Sequence, residues 1–285
     1  MSKVMRSSRV LKILVLAAGV VWSGAAFAQP QNVWDKISSS GEVSCGLISN
    51  FPPLSWKVPG PAEYEGYLVN ICRAVAEGLS RDMKKFIAPK YVETTWATII
   101  LDIQSGRIDL GAGMSVTEER QKALDMPGPI YALSDAVVYR KGSTVLPKWE
   151  DYNNASVKVA STTGTSTEKT ALERMPKATH LSFKQQNEVI LAVQSGRADI
   201  MVASFVTAMT AMKEGKSAFG GIVLLEPRVE QPSSFGIRKD GDGRLNNFLQ
   251  KWGDEARTSG RVTWLIYDSL IKSGFDIKAL SGSGL

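Results

Sequence analysis

The stretch ILDIQSGRIDLGAGMSV, Ile100 to Val116, returns ninety residues later as ILAVQSGRADIMVASFV, Ile190 to Val206. Each copy reads as an apolar helical turn, a glycine stop and a strand. Glycine commonly ends a helix in the left-handed conformation that other residues disfavour, so two unrelated helix-to-strand connections could look alike by chance. The surroundings of each copy decide what the repeat means.

Those surroundings alternate short strand-like runs with helical ones, the signature of an α/β architecture. GEVSCGLI, YVETTW and RIDLGAGM read as strands, with YLVNICRAVAEGL, TIILDIQSG and TEERQKAL as helices. After VVYRKG the rhythm restarts with strands SVKVASTTG, HLSF and RADIMVAS and helices TSTEKTALERM and QQNEVILAVQSG. The repeat therefore predicts equivalent helix–loop–strand units in two successive α/β lobes. Ligands of open α/β sheets bind outside the carboxyl ends of the strands, here Gly113-Met114-Ser115 and Ala203-Ser204. Two such edges facing each other would form a cleft.

The chain opens with basic Lys3, Arg6, Arg9 and Lys12, an apolar run from Ile13 to Trp22, and Ala26-Phe27-Ala28 as a cleavage site. Residues 1–28 thus read as an export signal removed after Ala28. No Cys follows the apolar run, against a lipid anchor, and no second run approaches the ~20 residues of a membrane helix. The mature chain of about 257 residues has room for two domains. It keeps 30 of the 34 basic residues against 28 acidic ones, so the basic precursor gives no argument for a nucleic-acid partner. Cys45 and Cys72 would meet an oxidising compartment; a disulfide and two small buried hydrophobes both remain open. With His180 they are too few for a zinc site, and no cofactor is expected.

SVTEER places Arg120 where a capping box would put Glu or Gln, three residues after the N-cap Thr117. A cation in the first turn opposes the helix dipole. Either Glu118 and Glu119 screen a solvent-facing Arg120, or Arg120 holds an anion in bidentate geometry with the Ser115 hydroxyl beside it. Thr165 and Glu168 form a capping box of their own, and the N–H groups beside Gly164 could receive a carboxylate oxygen.

NFPPLSW followed by GYLVNICRAVAEGL, then TTWATIILDIQSGRIDLGAGMSVTEER, MPGPIY, VKVASTTGTSTEK, QSGRADI, LNNFLQKWGDEARTSGRVTWLI and GFDIKAL together resemble the extracellular solute-binding proteins of family 3, the polar-amino-acid receptors of ABC transporters. The resemblance implies the two-lobe type II periplasmic-binding-protein fold, each lobe a mixed sheet flanked by helices, with ligand in the cleft between. It puts lobe 1 at 29–132 and 233–285 and lobe 2 at 133–232, with crossovers near Ile130–Ser134 and Ser233–Phe235. It further implies that Arg120 pairs with a ligand carboxylate, helped by Ser115 and the backbone near Gly113. Thr165 and Ser166 would meet the ligand from the second lobe. Phe51 and Trp96 correspond to aromatics that sandwich its side chain, although both could equally be core residues.

Two departures stand out. Asn70 replaces an Asp of the usual pattern, a structural variation. Ser204 stands where family members that bind α-amino acids commonly place the Asp that receives the ligand ammonium. Unless a carboxylate elsewhere replaces it, a buried ammonium there lacks a counter-charge, which favours a carboxylate whose amino group is absent, modified or differently placed. The expected function is a monomeric periplasmic receptor that delivers a small carboxylate-bearing solute to an ABC permease. The alternative is an enzyme on the same scaffold like the cyclohexadienyl dehydratases, for which the expected cleft segments show no obvious carboxylate or His. A sensory input domain is a third possibility.

Overall fold

A computed structural model of the chain describes residues 32–60, 63–215 and 217–275; the export signal expected at 1–28 lies outside them. No helix among the described residues is long and apolar enough to cross a membrane. The first lobe begins with α1 (Val33–Ser40) and β1 (Glu42–Ile48), a short hairpin of β2 (Trp56–Lys57) and β3 (Tyr64–Glu65), and α2 (Tyr67–Asp82). It continues through β4 (Ala88–Thr94), α3 (Ile99–Gln104), β5 (Leu110–Ser115) and α4 (Glu118–Ala123) to the long strand β6 (Tyr131–Arg140). The second lobe holds β7 (Lys158–Thr162), α5 (Ser166–Arg174), β8 (Thr179–Phe183), α6 (Gln186–Gln194), β9 (Ile200–Ser204), α7 (Phe205–Glu214) and β10 (Phe219–Val223). Strand β11 (Glu230–Gly236) returns the chain to the first lobe, where α8 (Arg244–Thr258) and α9 (Arg261–Lys272) pack.

The repeat occupies the same place in both lobes. β1 lies between parallel β4 and β5, and β7 lies between parallel β8 and β9. Gly106 and Gly196 end α3 and α6 at φ of 76° and 74°. The Asp of each copy then ties its loop to the central strand of its own lobe. Asp109 accepts from the Ser44 backbone N at 3.0 Å, and Asp199 from that of Lys158 at 2.9 Å. The recurrence of the Asp is therefore structural, because each carboxylate supplies an acceptor to a backbone N–H of the neighbouring strand.

The lobes are joined through β6 and β11. β6 pairs with β11 from Tyr131 to Ser134, then with β9 from Asp135 to Tyr139. β11 pairs with β6 up to Ser233 and with β5 from there on. One apolar core gathers β1, α2, β5, α8 and α9 around residues such as Leu47, Ile71 and Trp252. In the second lobe alternate residues of the same strands feed two cores, Ala136, Val138 and Met201 on one face and Val137, Ile200 and Val202 on the other, as the period of two in a strand requires.

Cys45 of β1 and Cys72 of α2 form a disulfide with Cα atoms 6.3 Å apart. Both are almost fully buried, so the bond staples strand to helix inside the first core. Asn70, two residues earlier on α2, donates to Asp268 and Ser269 of α9, a helix-packing role.

Candidate functional site

All eight residues singled out in the sequence, Phe51, Trp96, Gly113, Ser115, Arg120, Thr165, Ser166 and Ser204, line one cavity between the lobes. It spans about 570 Å³, counting space open to solvent, and mixes apolar walls with a few polar groups as small-molecule sites do. The carboxyl ends of β5 and β9 border it, as the α/β geometry predicts.

Arg120 is 5% exposed and does not face water. Its backbone N is capped by the Thr117 side chain at 3.3 Å, which sets α4 so that the guanidinium turns inward. The guanidinium donates to the Ser115 carbonyl at 3.0 Å and, across the cleft, to that of Gly164 at 3.2 Å. It lies 5.4 Å from the centre of the Trp96 ring. Among the described residues no ion pair includes it. Burial pulls its pKa down to about 10, still well above neutrality, so the cavity holds a desolvated cation that pairs with no carboxylate among the described residues. Such a charge is costly unless a ligand supplies the partner.

Other contacts across the cleft surround it. Ser166 Oγ donates to Ser115 Oγ at 2.9 Å. Gly164 has φ of 79°, and a Cβ there would come within 2.8 Å of the Trp96 and Ala97 backbone. Thr165 caps α5 by accepting from the Glu168 N at 3.1 Å, while the Glu168 carboxylate takes the Gly164 N–H at 2.7 Å. The Gly164 N–H itself is therefore already used. Phe51 and Trp96 fill both roles considered for them, since each packs on the first core and also borders the cavity.

Ser204 lies at the cavity wall as the N-cap of α7, bonded to the Thr207 hydroxyl at 2.9 Å. Beside it is a residue the sequence reading passed over. Asp135 of β6 is 2% exposed, borders the same cavity, and is the register partner of Ser204. One carboxylate oxygen accepts from the Gln231 amide at 3.3 Å; the other is buried without a hydrogen-bond partner. Burial raises its pKa to about 6, against smaller opposing effects of Thr170 and Gln231. The expectation that no carboxylate reaches the cleft is thus corrected, and with it the condition behind a ligand lacking an amino group. The signal for Asp135 was a charged residue inside an otherwise apolar strand, SDAVVY. Gln186 also aims a buried, unpartnered amide nitrogen into the cavity wall, its oxygen being held by the Thr162 hydroxyl at 2.8 Å. His180 is elsewhere, on β8, with its ring nitrogen 2.9 Å from the Met175 carbonyl.

A cavity of this kind between two lobes linked by paired strands is the arrangement of solute receptors, and residues 43–264 match the sequence profile of the bacterial extracellular solute-binding proteins, family 3. The chain belongs to that family. The ABC transporter glutamine-binding protein GlnH of Bacillus subtilis (strain 168) is 24% identical over 233 residues, covering 76% of this chain and 82% of that one. The L-arginine-binding protein of Pseudomonas aeruginosa is 24% identical over 228 residues, 77% of this chain and 84% of its own. Among solved structures, the ancestral amino acid-binding protein AncCDT-1, a precursor of cyclohexadienyl dehydratase, is 29% identical with a TM-score of 0.72, covering 84% of this chain and 99% of that one. The type II periplasmic-binding-protein fold expected for a family 3 member is the one this chain adopts.

Proposed function

We propose that the protein is an exported receptor, cleaved after Ala28 and acting in the periplasm as a monomer, that binds a small carboxylate-bearing solute between its lobes and delivers it to an ABC permease. The observation that carries this reading is the buried Arg120 guanidinium, which faces the cavity with carbonyls but no carboxylate around it. A ligand carboxylate is the partner that geometry suits, since a guanidinium offers parallel donors to a planar anion. The named binding proteins to which the chain is similar support amino acids or related molecules as the solute class. Lobe 1 comprises residues 29–132 and 233–285 and lobe 2 residues 133–232, and the lobes open and close about β6 and β11. Phe51 and Trp96 flank the solute, with Ser115, Thr165 and Ser166 completing its polar contacts.

Calorimetric titration with a panel of small carboxylates tests the reading. Arg120→Ala should fold normally and lose about 2–5 kcal/mol of binding, the usual cost of truncating one partner of a buried charge pair. Unchanged affinity would remove Arg120 as the anchor.

Asp135 gives the enzyme reading its one foothold, because a buried acid whose pKa sits at about 6 matches the demands of proton transfer. Incubation with prephenate or arogenate decides between them: binding without turnover supports the receptor, and product formation supports the dehydratase.

A further inference from the structure

We propose that Asp135 receives a protonated nitrogen of the solute, so that the cavity is built for dipolar molecules with the carboxylate on Arg120 and the cation on Asp135. The assignment rests on the receptor reading and adds to it the second charge of the ligand.

Arg120 and Asp135 are the only charged side chains that line the cavity among the described residues. They are opposite in sign and buried, and they are not paired with each other. Left empty, the cavity holds two desolvated charges at once, each costly alone. A neutral or purely anionic solute would satisfy at most one of them.

The sheet floor shows how one molecule reaches both. Tyr131, Leu133 and Asp135 alternate along β6 and face the cavity together. Ser115, whose carbonyl holds Arg120, is the register partner of Ser233 on β11, which is in turn the partner of Tyr131. The Arg120 anchor is thus near the Tyr131 end of β6, and Asp135 lies about 13 Å further along that strand. A solute with its carboxylate on the guanidinium and its cation toward Asp135 would therefore lie along this strand.

The free oxygen of Asp135 gives the site its direction. Gln231 Nε2 holds the other oxygen at 3.3 Å and also donates to Thr170 Oγ1 at 3.2 Å, which fixes the carboxylate. Among the described residues no ion pair includes it. Lys169 of α5 pairs with Glu173 at 3.7 Å, and Lys213 and Glu214 lie at the far end of α7. Of the other acids nearby, Glu230 of β11 is the register partner of Ser134, on the opposite face of β6, and Glu168 and Glu188 are engaged as caps. Tyr67 is buried and Tyr131 half-buried, and both are held neutral by raised pKa values.

The test titrates wild type, Asp135→Asn and Arg120→Ala with the common L-amino acids, γ-aminobutyrate and glycine betaine, and with 2-hydroxy acids matched to the amino acids in side chain. In wild type the best amine-bearing probe should bind roughly 30-fold or more tighter than its hydroxy counterpart, and Asp135→Asn should abolish that preference. Its affinity should fall about tenfold per pH unit below pH 6, as Asp135 takes up a proton. Hydroxy acids that bind as tightly as the amines in wild type, or that bind better as pH falls, would overturn the assignment and leave the receptor reading intact. An Arg120→Ala variant that binds every probe as wild type does would overturn the receptor reading, and the assignment with it.

Discussion

Asp135 of β6 and Ser204 of β9 face each other as register partners on adjacent antiparallel strands. Directly opposed residues keep their Cβ atoms about 5 Å apart on one face of the sheet, so a carboxylate on either strand reaches nearly the same part of the cavity. The position that in the sequence seemed to have lost its counter-charge has one across the strand pair, supplied from 69 residues earlier in the chain.

That relationship is open to a relocation experiment. Asp135→Ser should weaken binding of a cationic solute, and adding Ser204→Asp should restore about 1–2 kcal/mol of the loss, since the charge returns to the same face. Asp is as good an N-cap as Ser, so α7 should survive the change. Calorimetric titration of the single and double variants measures the recovery; no recovery would mean that the two positions do not serve the same ligand group.

Asp135 should also cost stability in the empty protein. Burial raises its pKa from the ordinary 3.8 to about 6, so the folded chain holds this proton more tightly than the unfolded one. The stabilisation from protonation is complete below about pH 4 and is lost as pH rises through 6. Asp135→Asn is therefore expected to raise ligand-free stability at pH 8 by about 1–3 kcal/mol and to change it little at pH 4. Denaturant unfolding at the two pH values checks this; equal effects at both would show that the carboxylate is not strained by burial.

Gly164 should govern closure. Its φ of 79° and the approach of the Trp96 and Ala97 backbone leave no room for a Cβ when the lobes meet. Gly164→Ala should leave each lobe folded yet weaken solute binding by about 1–3 kcal/mol, the usual penalty of overpacking. Small-angle scattering should then show less compaction on adding solute than in wild type, and full compaction would show that the loop yields.

Much of this architecture is written locally in the chain. The repeated Gly-Arg-x-Asp is legible because a helix stop and an acceptor for a neighbouring strand both depend on residues close in sequence, and Asp109 and Asp199 do the same task. Arg120 stands out for a similar reason, as a cation in a first helical turn. Asp135 is silent because its meaning depends on a register between β6 and β9 and on burial under α5, neither of which a linear pattern carries. The reach of Glu168 was not legible either: it passes the usual capping-box target, Thr165, and takes the Gly164 N–H one residue further back. The Cys45–Cys72 bond, left open by composition, needed the packing of α2 on β1 to decide it.

Native mass spectrometry of the wild-type protein and of Arg120→Ala, both purified without unfolding, reads out whether a solute is held between the lobes by its carboxylate. The wild type should retain a small carboxylate-bearing molecule, and Arg120→Ala, equally well folded, should come through without it. Retention of the same molecule at the same occupancy by Arg120→Ala would contradict a solute held by its carboxylate between the lobes.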